Sequence, residues 1–239
     1  MNTLFTSDDR FHTRIGWLDS KHSFSFGEHH DEARMGFRNL RVINEDKVTA
    51  GAGFGTHGHK DMEIVSYVVD GALGHKDSMG TNGTIVPGEI QRMSAGTGVL
   101  HSEMNHQKNA PTHFLQIWIL PRERGTRPGY AQKAFAAAEK RDVLKKILSG
   151  DGARDAEHDD GSLGIGADVD VYASLLGKEK RVRAELRRSN NGWVQVVKGK
   201  VDVSGTVAAA GDGVAIEDAA AVDITGLADD SEILVFDLA

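Results

Sequence analysis

The sequence predicts an all-β protein built from two tandem barrels. Three observations predict it. Short β-branched or apolar runs recur throughout the 239 residues, each bounded by glycine or polar turn residues. Glycine is abundant at 28 and proline scarce at 4, as tight turns between many strands require. Tyr67-Val68-Val69-Asp70-Gly71 is echoed by Val196-Val197-Lys198-Gly199, a faint internal repeat that suits two similar barrels.

In chain order, the first half offers strands at Leu40–Ile43, Glu63–Val69, Thr84–Val86, Ile90–Met93 and Phe114–Leu120. Val69–Leu73 reads as a hairpin turn, because Asp70-Gly71 supplies positive φ. Ala131–Leu148 conflicts with the pattern, since its Ala, Glu, Lys and Leu favour helix. We read Ala131–Lys140 as irregular or short helix and Val143–Leu148 as strand. Ser149–Gly166, rich in Asp and Gly, is a loop. The second half offers Trp193–Val197, a Lys198-Gly199 turn, Lys200–Val203, Val214–Ile216, Val222–Ile224 and Ile233–Phe236. The expected domains are residues 1–130 and 140–239.

Composition narrows the class. The 39% hydrophobic content supports a globular core. Net charge is −7 with no basic block, which argues against direct nucleic-acid binding. There are no cysteines, so disulfides and thiolate ligands are excluded. Met1–Arg10 lacks an apolar signal core, and no apolar run approaches the ~20 residues of a membrane helix. We expect a cytoplasmic, monomeric protein without membrane contact.

Four residues carry the chemistry. His57-Gly58-His59 and His101-Ser102-Glu103 each place two ligating side chains at spacing i, i+2, which points both to one face of a strand. Two such strands side by side converge three imidazoles and one carboxylate, a set suited to a divalent transition metal with open positions. His-x-His alone is weak, because 11 histidines give about half a chance occurrence. The frame is sharper: Gly51-x5-His57-x-His59-x3-Glu63, then Gly98-x2-His101-x3-Asn105.

These frames resemble the two motifs of the cupin superfamily, with Gly96 where a Pro is usual. The surrounding text narrows the resemblance: Gly16–Phe26, Leu40–Asn44, His59–Ile64, Asp77–Gly80, Ser94–Glu103, Gln116–Trp118 and Trp193–Gly199. The chain resembles short bacterial members of the pirin family, whose metal is held at positions matching His57, His59, His101 and Glu103. Two departures are Gly58, where the family usually has Pro, and Glu32 after Asp31, where many relatives have Asp-Pro. The resemblance implies two tandem cupin domains. It also implies one divalent metal, Fe(II) first with Ni, Mn, Co or Zn as alternatives. The implied activity is that of quercetin 2,3-dioxygenase, which cleaves a flavonol with dioxygen and releases carbon monoxide, with Glu103 as base. Some pirins instead regulate a transcription factor or metabolic enzyme through their iron, and that reading stays open beside the enzyme. A hydrolase or isomerase using Zn or Mn is the weaker third.

Other residues take plainer readings. Glu63 falls on the ideal strand face of His57 and His59 but is assigned a supporting or structural role. Gly51-Ala52-Gly53-Phe54-Gly55 is not a dinucleotide loop, because no helix follows it. His113 is read as a hydrogen-bonded core histidine, and His29 and His30 as exposed loop residues. Asp77-Ser78-Met79 is a turn. Phe24, Phe26, Phe37, Trp118 and Trp193 are read as core. No histidine follows His158, so the second barrel cannot repeat the site.

Overall fold

The computed structural model describes all 239 residues, and its strands bear out the all-β expectation. In chain order they are β1 (Asn2–Phe5), β2 (Phe11–Ile15), β3 (Leu18–His22), β4 (Leu40–Val48), β5 (Gly53–His59), β6 (Glu63–Asp70), β7 (Leu73–Asp77), β8 (Asn82–Ile85), β9 (Glu89–Ser94), β10 (Val99–Met104), β11 (Thr112–Ile119) and β12 (Gly129–Ala134). A short helix, α1 (Ala137–Lys140), precedes β13 (Lys145–Ser149), β14 (Leu163–Gly164), β15 (Val169–Leu176), β16 (Arg181–Glu185), β17 (Asn191–Lys198), β18 (Lys200–Val203), β19 (Thr206–Ala209), β20 (Gly213–Ile216), β21 (Ala221–Gly226) and β22 (Ser231–Leu238).

The chain divides into two units. One holds Phe11–Ala134 with Ile165–Ala167, and the other holds Met1–Arg10, Phe135–Gly164 and Asp168–Ala239. Each unit contains one seven-stranded and one four-stranded sheet. The first unit orders them β12-β9-β6-β11-β4-β3-β2 and β5-β10-β7-β8. The second orders them β1-β20-β17-β22-β15-β13-β14 and β16-β21-β18-β19. Pairing is antiparallel except between β13 and β14.

The second unit buries a continuous aliphatic core, with Val194, Val196, Ile233 and Val235 of one sheet among Val182, Val201, Val222 and Ile224 of the other. The first unit has two smaller apolar clusters, around Phe114, Leu73 and Ile85 and around Ile64, Met93 and Val99. A cavity of about 380 Å³ lies in the same unit.

Several local expectations are corrected. Asp70-Gly71 does not close a hairpin. Gly71 has φ +83°, but β6 pairs with β9 and β11, while β7 belongs to the other sheet. The turn is a corner between sheets, and Gly199 (φ +77°) repeats it between β17 and β18. Ala131–Lys140 is not mainly irregular: residues up to Ala134 pair with β9, whose backbone overrides helix propensity, and only Ala137–Lys140 is helical. The Ser149–Gly166 loop contains the two-residue β14. Residues 1–10 group with the C-terminal unit, because Asn2–Phe5 pair with Gly213–Ile216.

Candidate metal centre

Strands β5 and β10 lie side by side, with His57 directly opposite His101 and His59 opposite Val99. The register then slips, Glu103 facing Phe54, so that β5 carries one extra residue at Gly55-Thr56. Such a bulge re-aims the neighbouring side chain. It also turns the Gly55 carbonyl toward His57, whose Nδ1–H donates to it at 2.8 Å. That bond fixes the tautomer and leaves Nε2 bare.

The ligand nitrogens of His57, His59 and His101 all lie within 4.8 Å of one another. His57 Nε2 and His101 Nε2 are 3.0 Å apart, as two nitrogens each ~2.1 Å from one ion at a right angle would be. His59 Nε2 is buried and makes no hydrogen bond. A buried imidazole nitrogen without a partner is costly unless something else takes its lone pair. Burial and then His57 push His59 down to about 4, and the same causes push His101 down to about 2. Both are therefore neutral at pH 7, the state a ligand needs. The donor set fits a divalent transition metal.

Glu103 stands beside this triad on the buried face of β10. Its Oε1 accepts from Ser66 Oγ at 3.1 Å, and its Oε2 accepts from Gln116 Nε2 at 2.6 Å. Burial raises its carboxyl to about 7; Asp46 adds to the rise, and the Ser66 and Gln116 bonds oppose it. A carboxyl poised near neutrality suits proton transfer.

A cavity of about 380 Å³ opens onto the site. His57 and Glu103 line it with Phe26, Phe54 and Trp118. Trp118 also meets the His59 ring edge-on at 4.9 Å between centroids. Behind His101 lies His75, its Nδ1 accepting from Gln91 Nε2 at 2.9 Å and its Nε2–H donating to Asp77 at 3.1 Å.

The structure sorts the remaining sequence readings. Glu63 does not share a face with His57 and His59. Asp61 has φ +49°, the chain leaves β5, and Glu63 opens β6 in the other sheet, where it accepts from Ser94 Oγ at 2.7 Å. Phe26 and Trp118 are cavity wall rather than core, whereas Phe24 and Trp193 are fully buried and Phe37 is half-buried. His29 is not a free loop residue; it lines the cavity and bonds Thr13 Oγ1 at 3.0 Å. His30 is exposed, and His113 is half-buried and bonded to Glu45 at 2.8 Å. Asp77 caps its turn by accepting from the Met79 and Thr81 amides. Sequence reasoning missed His75, Ser66 and Gln116. The available signal was a polar side chain at an inward strand position, such as Gln116 between Leu115 and Ile117.

Comparison with known proteins agrees with this picture. The family model for pirin matches residues 5–119, and that for the quercetinase C-terminal cupin domain matches residues 147–238. A quercetin 2,3-dioxygenase from Escherichia coli (strain K12) is 45% identical over 235 residues, 98% of this chain and 97% of the relative. A pirin-like protein from Caulobacter vibrioides is 36% identical, with 94% of each chain covered. The crystal structure of the bacterial pirin YhhW from Escherichia coli in complex with nickel(II) superposes with TM-score 0.90 at 43% identity, covering 100% of this chain and 99% of that one.

Proposed function

The chain belongs to the pirin family, and from that premise we propose that it is a metal-dependent, quercetinase-like enzyme that opens a flavonol ring with dioxygen and releases carbon monoxide. One observation carries the reading: three imidazoles converge beside a buried glutamate, and His57 and Glu103 line a cavity that Phe26, Phe54 and Trp118 also line. The nickel(II) complex of a relative at 43% identity supports a divalent metal.

His57, His59 and His101 would hold that metal, with Glu103 as the anionic fourth member. Fe(II) is our first choice, because imidazole with carboxylate suits redox-active ions and dioxygen chemistry needs one. When bound, the metal supplies Lewis acidity toward a chelating oxygen and redox chemistry toward dioxygen.

The chain's own residues do the rest. Glu103 takes the flavonol enol proton, since it is the carboxylate that Ser66 and Gln116 hold in the site from two sides. Ser66 and Gln116 keep its two oxygens aimed while it changes charge. Phe26, Phe54 and Trp118 bury the aromatic rings of the substrate and exclude water, which strengthens each polar contact inside. Dioxygen then adds to the deprotonated ring, two ring bonds break, carbon monoxide leaves, and the proton returns to the ester product.

The test is oxygen uptake with quercetin by protein loaded in turn with Fe, Mn, Co and Ni, together with detection of carbon monoxide. Uptake and carbon monoxide in equal amounts are expected with at least one metal. No uptake with any flavonol would overturn the proposal.

A further inference from the structure

The three imidazoles of the metal centre are held in different ways. His57 is fixed by its own bond to the Gly55 carbonyl. His59 meets the Trp118 ring edge-on. His101 has neither device. Its Nε2 faces His57, while its Nδ1 is buried with no hydrogen-bond partner. A ligating histidine ordinarily donates its other N–H to an acceptor, and that bond sets the angle of the ring. Before an ion binds, the angle of His101 therefore rests on packing.

That packing comes from His75. The two rings lie 5.4 Å apart between centroids, with 55° between their planes, and both are almost fully buried. His75 sits on β7 beside β10, where it faces Glu103 and its neighbour Asp77 faces His101. It is itself immobilised from three directions. Its Nε2–H donates to Asp77 Oδ2 at 3.1 Å on its own strand. Its Nδ1 accepts at 2.9 Å from Gln91 Nε2, which reaches across from β9 in the other sheet. The Tyr130 ring lies against it at 5.0 Å and 33°. Asp77 is pinned in turn by the Met79 and Thr81 amides. A histidine with both nitrogens bonded keeps one tautomer and one ring plane. His75 lies outside the cavity wall, so it has no substrate to hold. Buried polar groups cost stability unless every bond is made, and the C-terminal unit packs its interior with aliphatic side chains instead. The clamp on His75 thus points to a use.

We propose that His75 is a positioning residue for the metal. Clamped by Asp77 and Gln91, it forms a rigid backing that holds the His101 ring at the angle from which Nε2 reaches the ion. The role rests on the metal-centre reading and is independent of the dioxygenase reaction. His75 touches neither ion nor substrate and acts through His101 alone. Loss of an outer partner that orients a ligand weakens metal binding by about 10–100-fold.

The experiment titrates the full chain with Co(II) alone. Its Kd is read by competition with a chelating dye, and its visible ligand-field bands are recorded on the same samples. Those bands depend on where the donor nitrogens point, so they report ligand direction rather than stability. His75→Ala removes the ring. His75→Gln also removes the ring but can still donate to Asp77 and accept from Gln91, which protects the fold. Leu73→Val is the control, because it loosens the core on the same strand, where Leu73 packs with Ile85 and Phe114. Both His75 variants are expected to raise the Kd by about 10–100-fold and to shift the bands. Leu73→Val is expected to keep the Kd within about threefold and the bands in place. Wild-type Kd and bands in folded His75→Gln would overturn the positioning role and leave the metal centre standing. An equal loss in Leu73→Val would also overturn it, since affinity would then follow the stability of the unit. A wild type that takes up no Co(II) would overturn the metal-centre reading and this role with it.

Discussion

His57 Nε2 and His101 Nε2 face each other at 3.0 Å across two paired strands, and the Gly55 carbonyl has already claimed the other nitrogen of His57. Only one proton, at most, fits between them. The pair is built to share something that accepts lone pairs from both.

Metal content should follow from that pair. Purified protein is expected to hold one divalent ion per chain. His57→Ala and His101→Ala are each expected to fall below about a tenth of an equivalent, because a three-imidazole site cannot lose a ligand cheaply. Mass spectrometry of metals after gel filtration reads this directly. A double variant that keeps a full equivalent would show that the ion sits elsewhere.

Glu103→Gln separates holding the metal from using it. The amide keeps the shape and an oxygen, but it cannot take a proton. Turnover should drop by about 10²–10⁴, as for loss of a general base, while the three imidazoles retain most of the metal. Flavonol absorbance decay and metal content, measured on one preparation, check it. Equal losses of both would reassign Glu103 as a ligand only.

Gly213 lies under the Trp193 ring. A Cβ at Gly213 would come 2.0 Å from Trp193 Cζ2, and Trp193 is fully buried and packed on Phe5. Gly213→Ala should therefore cost about 1–3 kcal/mol by overpacking. Urea unfolding measures it. Metal content of the folded variant should be unchanged, because His57, His59 and His101 belong to the other unit.

Lys140 gives a pH signature. Burial lowers its pKa from 10.5, against the pull of Glu232 and Glu139. The folded chain thus releases this proton at a lower pH than the unfolded chain. Between the two values the unfolded state binds more protons, so the Lys140 contribution to stability rises with pH. Urea unfolding of wild type and Lys140→Met, compared between pH 7 and 10.5, is expected to show wild type gaining on the variant as pH rises. A difference that is flat or moves the other way over that range would contradict the assigned direction.

The metal triad was legible because two i, i+2 pairs in glycine frames need only local geometry to be read. Most strands of both units were legible for the same reason. What stayed hidden depended on register. Nothing in His75 or Gln116 says which residue it will face until β7, β10 and β11 are aligned. Phe26 and Trp118 looked like core because an aromatic side chain is apolar whether it meets another side chain or a cavity. The Asp70-Gly71 turn was right in its dihedral and wrong in its consequence, since a positive φ bends the chain without saying which sheet receives it. Glu63 failed because an ideal strand was extended past Asp61, where the backbone turns.

The pairing of Asn2–Phe5 with Gly213–Ile216 sets an order on synthesis. β1 leaves the ribosome long before its partner β20, and until then it travels unpaired with that strand. The N-terminal unit can close around its cavity before that strand is placed. The C-terminal unit cannot complete its sheet until Asn2–Phe5 return, so the nascent chain should acquire its imidazole triad well before its final stability.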